Sequence, residues 1–195
     1  MTRLSIMLSS TVVCLKVPNG GPWGAWGDIQ KCPPESVAKG FALKKEQPHG
    51  NGDDTAVNGI RLYCCPCNGD TPQTLITSSQ GPWGIWTAPI FCSSGYLVSF
   101  TMKVEPSQGA GDTTVVNNFK FQCSSGQELE GSGLPWGSYG PQSSSCPLGI
   151  CEIKTKVEGY QLSRDNTALN DVKFFCCMPQ YNKEIHFELD VCNKL

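Results

Sequence analysis

The 195-residue sequence lacks a basic excess, with 15 lysines and arginines against 17 acidic residues and a formal charge of −2. Binding a polyanion needs clustered positive charge, and lysines and arginines are scattered here, so no nucleic-acid partner is expected. Charged residues make up only 16% and aromatics 9%, a balance that fits neither a disordered chain nor a coiled coil. Histidine is nearly missing: His49 and His186 are the only two. The chain has no GxSxG and no HExxH, and Cys64-Cys65-Pro66-Cys67 is a single CxxC without the second knuckle that zinc modules show; no cofactor and no metal are expected. No segment carries helix start and stop signals around an apolar stripe, so no phosphate-binding loop can precede a helix. No run is long and apolar enough to span a membrane. Met1 to Leu15 carries an early Arg3 and a moderately apolar stretch, as a signal peptide would, but serines and a threonine interrupt it. The preferred reading is a first β-strand, because Val12, Val13, Leu15 and Val17 are strand-forming.

Cysteine, by contrast, is abundant. Twelve cysteines beside so little histidine describe a disulfide framework in an oxidising compartment. Glycine (21) and proline (14) suit many short strands joined by tight turns.

The chain also repeats itself three times. Gly-Pro-Trp-Gly-Ala-Trp starts at Gly21, Gly-Pro-Trp-Gly-Ile-Trp at Gly81, and Leu-Pro-Trp-Gly-Ser-Tyr at Leu134. Trp23, Trp83 and Trp136 are followed nine, nine and ten residues later by Cys32, Cys92 and Cys146. Further on, Glu46, Asp53, Thr55, Asn58 and Cys64 recur at identical offsets as Glu105, Asp112, Thr114, Asn117 and Cys123, and as Glu158, Asp165, Thr167, Asn170 and Cys176. Lys44, Lys103 and Lys156 each precede the glutamate by two positions. The units span about 19–67, 79–126 and 133–179 of one domain, with a C-terminal extension over 180–195.

Within a unit, Phe41 and Leu43 alternate with Ala42 and Lys44, and Phe100 and Met102 with Thr101 and Lys103. That period of two marks a half-buried strand. A polar, glycine-rich turn follows, then a second such strand: Ile60 and Leu62, Phe119 and Phe121, or Val172 and Phe174, ending on the cysteine. One small sheet per unit, each with an apolar face, is satisfied by three sheets around a common centre. The fold class is therefore all-β, a prism with pseudo-threefold symmetry. Ile185, Phe187, Leu189 and Val191 alternate with charged residues and predict a terminal strand pairing near the N-terminal one.

Val17-Pro18-Asn19-Gly20-Gly21, Gly40-Phe41-Ala42-Leu43-Lys44, Asp53-Asp54-Thr55-Ala56, Asn58-Gly59-Ile60-Arg61-Leu62 and Phe174-Phe175-Cys176-Cys177 resemble vitelline membrane outer layer protein I over about residues 17 to 178. The resemblance implies a β-prism of three Greek-key sheets, secretion, and a place in an egg envelope, extracellular coat or secretion. It also implies an activity on N-acetylglucosamine oligosaccharides, proposed for the egg-coat member. Cys14, Cys65, Cys67 and Cys192, and the segment after residue 178, look like additions to the family pattern.

Repeat logic pairs Cys32 with Cys64 and Cys92 with Cys123, one bridge per sheet. In the third unit, Cys146 with Cys177 and Cys151 with Cys176 is the preferred arrangement, and the crossed one stays open.

Paired carboxylates serve glycoside chemistry, which makes Glu46 with Asp53, Glu105 with Asp112, and Glu158 with Asp165 candidate carbohydrate sites. Threefold recurrence favours a structural role instead: Asp and Asn fix turns, and each Lys pairs with its Glu on one strand face. The same recurrence favours the tryptophans as hydrophobic corners of each sheet. The leading expectation is a secreted, non-enzymatic structural or interaction protein with extracellular matrix or coat proteins and oligosaccharides as partners. The alternative is an N-acetylglucosamine-oligosaccharide binder with weak glycosyl-transferring activity.

Overall fold

A computed structural model describes residues 12–46, 57–69, 71, 74–105, 115–159 and 169–178. The described residues form three antiparallel sheets. The first contains β1 (Cys14–Leu15), β14 (Leu169–Cys176), β13 (Ile150–Val157) and β2 (Ala25–Trp26) in that order, with β3 (Gln30–Lys31) also on β13. The second orders β6 (Thr74–Thr77), β5 (Val57–Pro66), β4 (Ser36–Lys45) and β7 (Ile85–Trp86), with β8 (Ile90–Phe91) also on β4. The third is β11 (Glu128–Glu130), β10 (Val115–Cys123), β9 (Leu97–Glu105) and β12 (Ser138–Tyr139).

The alternating apolar residues point where their period places them. Phe41, Leu43, Ile60, Leu62, Phe100, Met102, Phe119, Phe121, Val172 and Phe174 are all buried in one core. Five phenylalanines meet at its centre and come from all three sheets. Phe121 lies 4.6 Å from Phe41, 5.3 Å from Phe174 and 6.1 Å from Phe100, ring centre to ring centre. The predicted first strand forms at Cys14–Leu15, where Leu15 is buried while Val12 and Val13 stay about half exposed. The predicted terminal strand lies outside the described residues.

The expectation of one sheet per unit is corrected. The unit over 19–67 supplies β2 and β3 to the first sheet and β4 and β5 to the second. Each long hairpin thus receives its short outer strands from the next unit, and the first unit closes the ring on the third. The disulfides follow this crossover. Cys32 follows β3 in the first sheet and bonds Cys64 of the second; Cys92 follows β8 in the second and bonds Cys123 of the third. Cys146, hydrogen-bonded to Val98 of the third sheet, bonds Cys176 of the first. These bridges join the sheets in a ring rather than lying one within each sheet.

The preferred pairing in the third unit is also corrected: the bonds are Cys146–Cys176 and Cys151–Cys177. The strand period gives the reason. Cys176 continues the inward face of Val172 and Phe174 and is buried, as is Cys146. Cys177 takes the next position beyond β14, while its partner Cys151 is only partly buried.

Two β-bulges recur in each hairpin, and they explain the repeated polar residues. Asn58, Asn117 and Asn170 are each skipped by the pairing register near the hairpin's loop end. A bulged residue leaves the ladder, so its carbonyl is available to another segment. The three carbonyls accept the amides of Gly81, Leu134 and Gly21 at 2.6–2.7 Å. Near the other end Lys39, Val98 and Cys151 are skipped, and their carbonyls accept the amides of Cys92, Cys146 and Cys32 at 2.8–2.9 Å. The conserved spacing of asparagine within the chain therefore marks a docking bulge, where a turn was expected.

Candidate functional site

At the loop end of each hairpin the Gly-Pro-Trp-Gly turn of the following unit docks. Gly24, Gly84 and Gly137 adopt φ of +83°, +88° and +80°, a left-handed conformation that only glycine reaches without strain. They are also packed against backbone. A β-carbon on Gly24 would lie 2.5 Å from the Glu158 nitrogen; on Gly84 it would be 2.8 Å from that of Glu46, and on Gly137 2.6 Å from that of Glu105. At two of the three corners the repeated lysine secures the turn. Lys44 Nζ donates to the Gly81 carbonyl at 2.9 Å and the Pro82 carbonyl at 3.2 Å, and Lys156 Nζ donates to those of Gly21 and Pro22. For Lys44 and Lys156, the strand-face pairing with glutamate is thus joined or replaced by a clamp on the turn.

With the turn held from both sides, its tryptophan is left outward. Trp23, Trp83 and Trp136 are 50%, 51% and 62% exposed, which corrects their reading as core corners. Three residues on, Trp26, Trp86 and Tyr139 are half-buried, each under a cation. Lys173 Nζ sits 4.4 Å from the Trp26 ring, the Arg61 guanidinium 4.2 Å from Trp86, and Lys120 Nζ 5.0 Å from Tyr139. Such contacts contribute about 0.5–1 kcal/mol each at exposed sites and stiffen the corner.

The structure therefore brings Glu46, Glu105 and Glu158 next to an exposed indole-bearing turn, each supplied by another unit. All three glutamates are half-buried. Their sequence partners Asp53, Asp112 and Asp165 lie outside the described residues. Sequence reasoning missed the pairing of Trp83 with Glu46, Trp136 with Glu105 and Trp23 with Glu158, because it crosses unit boundaries. A cleft of about 200 Å³ lies at the opposite, cysteine-rich end. Among the described residues no cluster of three or more His, Cys, Asp or Glu could hold a metal ion. No helix in them is long and apolar enough to cross a membrane.

The corners differ at the residue after the bulge: Gly59, Asn118 and Asp171. Asn118 Oδ1 accepts from the Phe119 amide and its Nδ2 donates to the Gly131 carbonyl, both within 2.8 Å. Asp171 Oδ1 likewise accepts from Val172 at 2.8 Å, but a carboxylate has nothing to donate. Burial raises the Asp171 carboxyl above its ordinary value, partly offset by the Val172 amide, Lys156 and Lys173. A raised folded-state value means that the folded protein holds this proton more tightly. Its contribution to stability is greatest below the ordinary carboxylate range and falls as pH rises through the raised value. Asp171→Asn, which copies Asn118, is expected to stabilise the protein at pH 7 by up to about 1 kcal/mol after solvent screening. It should also steepen the acid limb of the melting-temperature profile, because the carboxyl it removes adds stability as pH falls. An unchanged profile would contradict this account of the corner.

With this geometry defined, the chain can be set beside known proteins. The family model for vitelline membrane outer layer protein I (VOMI) matches residues 13–179. The chain belongs to the vitelline membrane outer layer protein I family. A mouse vitelline membrane outer layer protein 1 homolog is 48% identical over 163 residues, covering 83% of this chain and 81% of the relative. The human homolog is 47% identical over 165 residues, covering 84% and 82%. Among solved structures, artocarpin in complex with mannopentose superposes with a TM-score of 0.53 at 18% identity, over 86% of this chain and 97% of the lectin. A mannose-specific jacalin-related lectin from Morus nigra, in complex with mannose, gives 0.53 at 16% identity over 91% and 99%. At such identities the likeness shows the fold alone, a β-prism. The expected family and fold class both hold.

Proposed function

We propose that this protein is a secreted structural component of an extracellular coat, egg envelope or secretion, and that it binds oligosaccharides at its three tryptophan corners. The observation that carries the reading is the set of three half-exposed indoles held rigidly at matched positions. Exposing an indole forgoes the stabilisation of burying a large apolar side chain, so doing so three times on a docked turn fits a binding surface. An indole face packs well on the C–H face of a pyranose ring, and an adjacent carboxylate accepts hydrogen bonds from sugar hydroxyls. Glu158, Glu46 and Glu105 are candidates for that role beside Trp23, Trp83 and Trp136; Asp53, Asp112 and Asp165, seven residues after their unit's glutamate in the sequence, are further candidates. Mannose binding by the lectins that share the fold makes mannose oligosaccharides worth testing beside N-acetylglucosamine oligosaccharides. Disulfides that join the sheets suit an oxidising extracellular site and long service in a coat beside other matrix proteins. Three copies of one constellation, with no acid–base pair unique to one copy among the described residues, fit a binding protein better than an enzyme.

Titration with chito-oligosaccharides and mannose oligosaccharides tests the binding. Saturable binding is expected to one of these series. Trp23→Ala, Trp83→Ala and Trp136→Ala should each remove one of three sites and the triple variant all of them. Undiminished binding by a folded triple variant would remove the tryptophans from the site. Product analysis of the wild type and of Glu46→Gln, Glu105→Gln and Glu158→Gln tests the enzymatic alternative. Expected are intact oligosaccharides throughout; turnover by the wild type that one substitution abolishes would establish catalysis.

A further inference from the structure

We propose that the outer face of the second sheet holds a site for an acidic saccharide, with Arg61 bonding its carboxylate or sulfate group. The three sheets carry a cation at one matched position, three residues before the hairpin cysteine: Arg61, Lys120 and Lys173. Each lies over an aromatic ring of the docked segment, but the copies differ in how the charge is met. In the third sheet Lys120 bonds Glu128 at 2.7 Å and lies 3.7 Å from Glu130, both on the outer strand β11. In the first sheet Lys173 shares its strand face with Asp171, and the two charges interact. The second sheet has neither arrangement. Register places Thr77 opposite Arg61 and Leu75 opposite Tyr63, where the third sheet has Glu130 opposite Lys120 and Glu128 opposite Gln122. Gly59 stands where the first sheet has Asp171. All three carboxylate positions around the cation are thus neutral here, and no carboxylate among the described residues pairs with Arg61.

The guanidinium is nonetheless held in place. Its carbon lies 4.2 Å from the Trp86 ring centre and 5.6 Å from that of Tyr63, and Nε is buried without a hydrogen-bond partner. Ring contacts fix this fork, with no acceptor for Nε among the described residues. A carboxylate or sulfate matches the parallel N–H donors of a guanidinium, and a charge already fixed in position loses little freedom on binding one.

The surroundings of Arg61 fit a sugar. Tyr63 meets Phe91 edge to face at 5.2 Å, and Phe91 lies against Gly40, where a β-carbon would come within 2.4 Å of its ring. Leu75, opposite Tyr63, is 50% exposed. Gln80 packs over Gly59 and brings an exposed amide for sugar hydroxyls. In the third sheet the match of Tyr63 is Gln122, which bonds Gln142 at 2.6 Å instead. The second sheet therefore joins an arginine without a counter-charge to neighbouring aromatic rings, which pack on the C–H surface of a pyranose. A peptide suits this face less well. Its backbone groups need a free strand edge, and β5, which carries Arg61, is paired on both sides. The site is separate from the tryptophan corners and takes a charged class of saccharide.

Titration of the oxidised protein with hyaluronan oligosaccharides, whose acid groups are carboxylates, and keratan sulfate oligosaccharides, whose acid groups are sulfates, tests the site. Saturable binding is expected to at least one series, and the series that binds tells carboxylate from sulfate. Arg61→Gln should weaken it by at least about tenfold, the worth of a charge-assisted hydrogen bond. Thr77→Glu copies Glu130 and brings a carboxylate opposite Arg61 on the outer face. It should abolish binding while the melting temperature holds. A wild type that binds neither series, or a folded Thr77→Glu that binds undiminished, would overturn the proposal. Equal binding of a poly-glutamate peptide would overturn its choice of a saccharide. The folded triple variant Trp23→Ala/Trp83→Ala/Trp136→Ala should keep the acidic series, and loss there would place the binding at the corners instead. A wild type that binds acidic but not neutral oligosaccharides would support Arg61 and remove the corners.

Discussion

Phe121→Ala is expected to destabilise the protein by about 3–5 kcal/mol, the largest effect of any single core substitution. Phe121 is almost completely buried and packs against phenylalanines from all three sheets. Truncation leaves a void on the prism axis that no neighbour can fill. The inward residues are set by strand register, and the strands are tied at their ends by the ring of disulfides. The transfer and cavity contributions therefore add with little relaxation. Guanidinium unfolding of the oxidised protein should show a lowered midpoint with an unchanged slope. A shift below about 1 kcal/mol would mean that the core can collapse around the site.

Removing the bridge between the second and third sheets, as Cys92→Ala/Cys123→Ala, should cost about 3–4 kcal/mol in the chain-entropy model for a closed loop of this length. Cys92 and Cys123 are 31 residues apart, and Cys151 and Cys177 are 26, so that model assigns the two bridges nearly the same value. Their mechanical roles differ. Cys151–Cys177 ties β13 to the end of its own hairpin partner, where the ladder already holds the strands together. Cys92–Cys123 joins two sheets that otherwise share side-chain packing and the hydrogen bonds of connecting segments. Loss of the inter-sheet bridge should make the folded protein far more susceptible to protease than loss of the bridge within the first sheet. Equal proteolysis rates for the two double variants would show that the ring of bridges adds nothing beyond chain entropy.

Several features of the site could have been read from the chain, given the right comparison. The offset from Glu158 to Cys176 equals those from Glu46 to Cys64 and from Glu105 to Cys123. Applied to the third unit, that rule selects Cys176 as the inter-sheet cysteine and leaves Cys177 for Cys151. The left-handed glycines after each tryptophan were likewise visible as an invariant Trp-Gly within the three copies. No such signal announced that the tryptophans face outward. A large aromatic beside glycine and proline has the same local pattern whether its turn folds inward or is clamped flat, and the clamp is made by residues of another unit.

The sequence by itself determined the strands, their buried faces, the threefold repeat, the family and the cysteines of the first two bridges. All of these depend on short-range periodicity or on matching copies of one motif. Tertiary structure alone decided that each sheet borrows its outer strands from the neighbouring unit, that the bridges run between sheets, and that bulged asparagines seat the tryptophan turns. The physical reason is that a bulge frees a carbonyl without specifying what fills it. Its partner is whichever segment the closing of the prism brings within hydrogen-bonding distance, and that is settled only when three apolar faces bury one another.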